Sequence, residues 1–135
     1  MKKLFPLLFA IILLSSCGGD GFNAEVEKNK IFDIHDEVMP KISEVMALKK
    51  QVEEKAKTLS EAEADALYDL GKELDEARNG MMSWMRDWSS KSGQYMEMKN
   101  GAEEQKAYLA AEMEKVRSVK EAINGSIQKA KAALK

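Results

Sequence analysis

From Glu25 onward, apolar residues recur at helical spacing and show no strand-like alternation. In the first stretch Ile31, Val38, Val45, Val52 and Leu59 stand seven apart. Ile34 and Leu48 fill intermediate seam positions, and Lys41 and Lys55 take the others. Phe32, His35, Met39, Ile42 and Met46 widen the stripe over its first half, which predicts contact with more than one partner helix there. A second stretch opens on Ser60-Glu61-Ala62-Glu63, a capping box in which the serine and Glu63 satisfy each other's orphan amides. Leu67, Leu70, Leu74, Ala77, Met81, Trp84 and Trp88 then follow three and four apart without a slip. Ser89 to Gly101 (SSKSGQYMEMKNG) loses the period and carries turn residues, which predicts a loop. The last stretch begins near Ala102 and presents Leu109, Met113, Val116, Val119, Ile123, Ile127, Ala130 and Leu134.

These patterns predict helices over 25–58, 61–89 and 102–134. A junction as tight as Leu59-Ser60 turns the second rod back along the first. The expected architecture is all-α: an antiparallel up-down-up three-helix bundle with coiled-coil-like heptads over 25–135. A long hairpin that dimerises is its rival. Gly71 and Gly80 weaken the second helix by about 1 kcal/mol each relative to alanine. Pro40 lacks an amide proton and its ring crowds the Asp36 carbonyl, which costs about 3 kcal/mol inside a helix. The register runs through it, so a bend is expected and not an end.

The start of the chain is different. Lys2 and Lys3 precede an apolar run from Leu4 to Leu14, closed by Ser15, Ser16 and Cys17. Eleven apolar residues cannot span a bilayer, which takes about 20. A basic head, a short apolar centre and a small-residue end are the parts of a cleaved secretory signal, here 1–16. Leu14-Ser15-Ser16-Cys17 resembles the lipobox of bacterial lipoproteins. That resemblance implies a diacylglycerol on the Cys17 sulfur, cleavage before it and an acyl group on the new amine. It also accounts for a lone cysteine in an exported chain. Two or more acyl chains anchor stably where one is marginal. Gly18 to Ala24 (GGDGFNA) reads as a flexible leash, so 17–24 is a lipidated tether. Glycine after the cysteine resembles the sorting signal for the outer membrane of the cell envelope.

Loss of Lys2 and Lys3 with the signal leaves nineteen basic and 23 acidic side chains, a formal charge of −4. Lysines and glutamates are interspersed, as on a solvated helical surface, and nothing suggests nucleic acid.

His35, the one histidine, marks the only stretch with candidate chemistry. If the first two helices are antiparallel about Leu59-Ser60, His35 lies opposite Trp84, with Tyr108 and Leu109 at a similar level. His35 and Met39 share a helix face, and Met81 and Met85 repeat their spacing. Imidazole and thioether ligands suit Cu(I). Against that stands a plain alternative in which methionine and aromatics fill an irregular core and His35 bonds to a carbonyl or a water near the tryptophans. That alternative carries more weight. Glu-x-x-His, His-Glu-x-x-His and a haem-attachment Cys-x-x-Cys-His are all absent, and no serine is singled out as a nucleophile.

IHDEVMPKISEVMALKKQV, the MMSWMRDW block and YLAAEMEKVRSVKEAINGSIQKAKAAL together resemble a group of small bacterial lipoproteins that often carry the label "viral A-type inclusion protein". The label derives from generic coiled-coil similarity, and its viral part carries no meaning. The resemblance implies a lipid-anchored, all-helical protein and transfers no catalytic or ligand residue. The expectation is a non-enzymatic envelope lipoprotein, with no cofactor beyond the Cys17 lipid, that contacts another protein or itself. Its QYMEM segment, Gln94 to Met98, is expected as a Met-rich loop that either offers an exposed apolar surface or, with at least equal weight, packs back over the bundle end. The second expectation is a copper- or haem-binding protein built on His35, Met39, Met81 and Met85.

Overall fold

A computed structural model describes residues 21–135. The signal segment, Cys17 and the first part of the tether lie outside the described residues. Among those described the chain is all helical, without strands. It comprises α1 (Ala24–Val38), a 3-10 turn (Met39–Lys41), α2 (Ile42–Ala56), α3 (Glu61–Met96) and α4 (Glu103–Ala133). The three rods, α1 with α2, α3 and α4, pack together as a helical bundle.

The seam follows the heptads. Ile31, Val38, Val45 and Val52 are all 0 % exposed. The apolar residues read along the second stretch, from Leu67 to Trp88, are all buried as well. The seam lysines are used rather than merely tolerated. Lys41 donates to the Asn124 side chain at 2.7 Å and Lys55 to the Ala133 carbonyl at 2.7 Å, so the first rod grips α4 through both. Lys49 with Asp75, Lys120 with Glu37 and Lys131 with Glu44 add cross-helix ion pairs at 2.6 Å each. Such half-exposed pairs contribute at most about 1 kcal/mol each, so they tune register while the apolar seam supplies most of the stability.

The register passes Pro40 as expected, but α-helical hydrogen bonding gives way there to one 3-10 turn. Its position has a packing meaning. Below it, α2 lies close against α3; above it, α1 lies close to α4 and reaches α3 chiefly through aromatic side chains. The turn is where the first rod changes its distance from α3, and the space so opened is filled by rings.

Three boundaries differ from expectation. The first rod ends at Ala56, and Lys57 to Ser60 form the turn. Leu59 is therefore 38 % exposed and not the last seam residue. At that turn the Glu63 carboxylate accepts from the Ser60 hydroxyl at 2.6 Å and from its amide at 3.4 Å. The largest correction concerns Ser89 to Met96, which continue α3 as helix and do not form a loop. Only Glu97 to Ala102 make the second turn, and Gly101 enters it at φ +86°, a backbone region that favours glycine. The third concerns the far end of the expected tether. Phe22 is half-buried against the core, Asn23 caps α1 through its side chain, and Ala24 is buried.

Candidate functional site

The 3-10 turn at Pro40 and the long α3 bring six rings to one end of the bundle. His35 lies 5.7 Å from Trp84 and 5.8 Å from Phe32, centroid to centroid. Phe32 meets Trp88 edge to face at 5.3 Å, and Trp84 meets Trp88 at 5.8 Å. Trp88 continues to Tyr108 at 5.8 Å, and Tyr108 stacks flat on Tyr95 at 4.0 Å. His35 and Trp84 occupy the common level inferred from sequence, whereas Tyr108 stands further along, against Trp88 and Tyr95, and Glu112 is the α4 residue that meets Trp84. Edge-to-face and offset pairs of this kind are worth about 0.5–1.5 kcal/mol each beyond the area they bury.

Polar atoms inside this layer divide into satisfied and unsatisfied sets. The Trp84 indole Nε1 donates to Glu112 Oε2 at 2.9 Å, and Lys115 Nζ donates to Glu112 Oε1 at 2.7 Å. Glu112 is only 2 % exposed, so a carboxylate is enclosed between α3 and α4 with a donor on each oxygen. His35 Nδ1 lies 2.8 Å from Asp36 Oδ1, while its Nε2 is buried with no hydrogen-bond partner among the described residues. The bond expected to a carbonyl goes instead to the neighbouring carboxylate, at Nδ1. The Tyr108 hydroxyl is likewise buried without a partner. Burial, aided by the negative charge of Glu112, pushes that phenol up to about 12.

The methionines are distributed through the packing. Met81 is 0 % exposed in the core, and Met39 and Met85 are half-buried against it. Among the described residues no group of three or more His, Cys, Asp or Glu side chains stands close enough to hold a metal ion. Of the two alternatives for QYMEM, the packed one holds, although its first half is helix and not loop. Gln94 to Met96 finish α3, Tyr95 stacks on Tyr108, and Met96 packs against the core.

Below the rings, the α3–α4 turn is tied down by two amides. Gln105, 1 % exposed, donates to the Tyr95 carbonyl at 2.9 Å and accepts from the Gly101 amide at 2.9 Å. Asn100 accepts from the Ala24 amide at 2.9 Å and donates to the Phe22 carbonyl at 3.0 Å, which fastens the start of α1 to the turn. Lys106 lies over the Phe22 ring, 5.7 Å from its centroid.

Glu112, Gln105 and Asn100 were not singled out from sequence. Glu112 left a signal: it falls three residues after Leu109 and four before Val116, on the apolar stripe itself. No protein-family model matches this chain, and no curated protein or solved structure is significantly similar to it.

Proposed function

We propose that this protein is a non-enzymatic lipoprotein of the bacterial cell envelope, anchored by lipid on Cys17, whose helical bundle serves contact with another protein or with a second copy. The observation that carries the reading is Leu14-Ser15-Ser16-Cys17 directly behind an eleven-residue apolar run. The bundle is consistent with it. Among the described residues no helix is long and apolar enough to cross a membrane. The ring layer is packed on itself. Grooves on the surface, such as that lined by Phe22, Leu109, Met113 and Arg117, are shallow and open.

The same reading takes the three rods as up-down-up. Its support is the sense of the cross-helix pairs. Glu37 with Lys120, Lys41 with Asn124 and Glu44 with Lys131 climb together along the first rod and α4. Phe32 with Trp84 and Lys49 with Asp75 run oppositely along the first rod and α3. The family resemblance points the same way as the lipobox and adds no ligand.

The experiment is expression of the full chain in a bacterium, followed by mass spectrometry of the N-terminal peptide and membrane fractionation. A peptide that begins at Cys17 and carries diacylglycerol, with membrane association lost in Cys17→Ser, is the expected result. An intact, unmodified N-terminus would overturn the anchor.

A second reading rests on one specific observation, the unpartnered Nε2 of His35. It is the nitrogen that a Cu(I) ion or a haem iron would use, with Met39, Met81 or Met85 as a thioether partner.

A further inference from the structure

The start of α1 and the α3–α4 turn are one structure and not two neighbours. Asn100 holds Phe22 and Ala24 by two hydrogen bonds, across 78 and 76 residues of sequence, and Lys106 closes over the Phe22 ring. If Cys17 carries lipid, only the five steps from Cys17 to Phe22 can act as leash. At the reach of an extended chain they span roughly 17 Å at most. The clamp therefore fixes which end of the bundle faces the bilayer.

The same end carries apolar side chains that the bundle leaves partly uncovered. Val26 is 47 % exposed, and Phe22, Met96 and Met98 are half-buried. Flexible thioethers and a phenyl ring at a short distance from an acyl anchor fit the headgroup boundary of a membrane. Glu25, Glu27, Glu97, Glu103 and Glu104 outnumber Lys28, Lys99 and Lys106 around it. Attraction to anionic lipid is thus not what would seat this end; anchor and apolar contact are.

We propose that this end of the bundle, formed by Phe22, Val26, Met96, Met98 and the Asn100 clamp, rests on the lipid bilayer and that the protein stands end-on. The α3 rod, 36 residues long, then carries the α2–α3 turn about 50 Å away from the surface. Leu59 and Tyr68, 38 % and 47 % exposed, lie at that outer end. The proposal rests on the Cys17 anchor of the preceding section.

The test uses the full chain purified from bacterial membranes and reconstituted into vesicles of phosphatidylcholine and phosphatidylethanolamine that carry a headgroup nitroxide. A fluorophore is placed through an encoded alkyne residue at position 98 or at position 59. The expected result is that the position 98 probe loses most of its emission to the nitroxide and the position 59 probe loses none. Raising the salt should not relieve the quenching. Asn100→Ala, verified as helical by circular dichroism, lengthens the leash and should restore much of the lost emission. Equal quenching at both positions means a bundle lying flat, and quenching at position 59 alone means an inverted one. No quenching at either means that the end is covered by something other than lipid. Each of these overturns the proposal. Mass spectrometry of the same sample reports Cys17 lipid separately. If it is missing, the anchor reading fails on its own. Coupling the Cys17 thiol to a maleimide lipid then lets the same probes judge the end-on geometry.

Discussion

Trp84 on α3 donates its indole proton to Glu112 on α4 at 2.9 Å, inside the protein and between rods joined by the six-residue turn Glu97–Ala102. Both groups need the bond. A buried indole N–H without an acceptor and a buried carboxylate without donors each carry a desolvation cost. Lys115, on the same helix as Glu112, supplies the positive charge that makes an enclosed carboxylate tolerable. The pair also specifies register, because a slip of α4 by one residue would bury Ala111 or Met113 in place of the acceptor.

Glu112→Ala should therefore be among the costlier single changes outside the aliphatic seam. Loss of a hydrogen bond to a charged group, with an indole proton left stranded, costs about 2–3 kcal/mol. Glu112→Gln keeps an acceptor and should lose less. The Trp84→Phe, Glu112→Leu pair removes both polar partners and should cost less than the sum of its single changes. Urea unfolding of the parent and these five variants measures this, and additive losses in the pair would show that the bond contributes nothing of its own.

Much of this fold was legible before any coordinate. Valine and isoleucine at sevenfold spacing could only be a seam, and Ile31, Val38, Val45 and Val52 are completely buried. The pairing of His35 with Trp84 followed from counting residues about a tight turn. What failed were ends. Leu59 kept the period, yet helical bonding stops at Ala56, and periodicity cannot see a helix terminate. Ser89 to Met96 looked like loop because serines and Gly93 broke the apolar rhythm, but this part of α3 is held from outside, by Tyr95 on Tyr108 and by Gln105 on the Tyr95 carbonyl. Those contacts depend on where α4 begins, which local composition does not reveal. The Asn100 clamp is longer-range still. In the site, Glu112 could have been read from its place on the stripe and from the need of Trp84 for an acceptor.

The α3–α4 turn should be sensitive out of proportion to its size. Gln105→Leu leaves the Gly101 amide and the Tyr95 carbonyl without their side-chain partner, at a cost of about 1–3 kcal/mol. Gly101→Ala forces a side chain into a positive-φ conformation and should cost about 1 kcal/mol. Thermal melts would register both as lowered midpoints. Hydrogen exchange should localise the loosening to 95–106, and protection there equal to that of the parent would contradict the bracing role.

His35 discriminates the two functional readings. Met81 is enclosed in the core and Met39 and Met85 pack against it, so a copper site would have to displace packed thioethers. The expectation is that Cu(I) titrated under reducing conditions binds the parent and His35→Ala alike, without a stoichiometric tight site. A one-to-one site lost in His35→Ala would transfer the assignment to metal handling. His35→Phe should retain the ring packing with Trp84 and Phe32, give up the solvent-exposed bond from Nδ1 to Asp36, and remove a buried nitrogen that has no partner among the described residues, so its stability should stay within about 1 kcal/mol of the parent.

Tyr108 offers a pH signature of the ring layer. Its hydroxyl is buried without a partner among the described residues, and burial with the Glu112 charge pushes the phenol up to about 12 from an ordinary 10.0. A folded-state value above the unfolded one means that the neutral phenol is the form the fold favours. Its contribution is therefore complete below pH 10 and is lost as pH rises through 12. The chain has three tyrosines, so absorbance of the tyrosinate band should show one of them titrating late. Tyr108→Phe should abolish that late step. Because the hydroxyl makes no bond, the same substitution should change stability near neutral pH by no more than about 0.5 kcal/mol, in either direction. A late step that survives Tyr108→Phe would overturn its assignment to Tyr108, and a large loss of stability in that variant would mean that the hydroxyl is bonded within the layer.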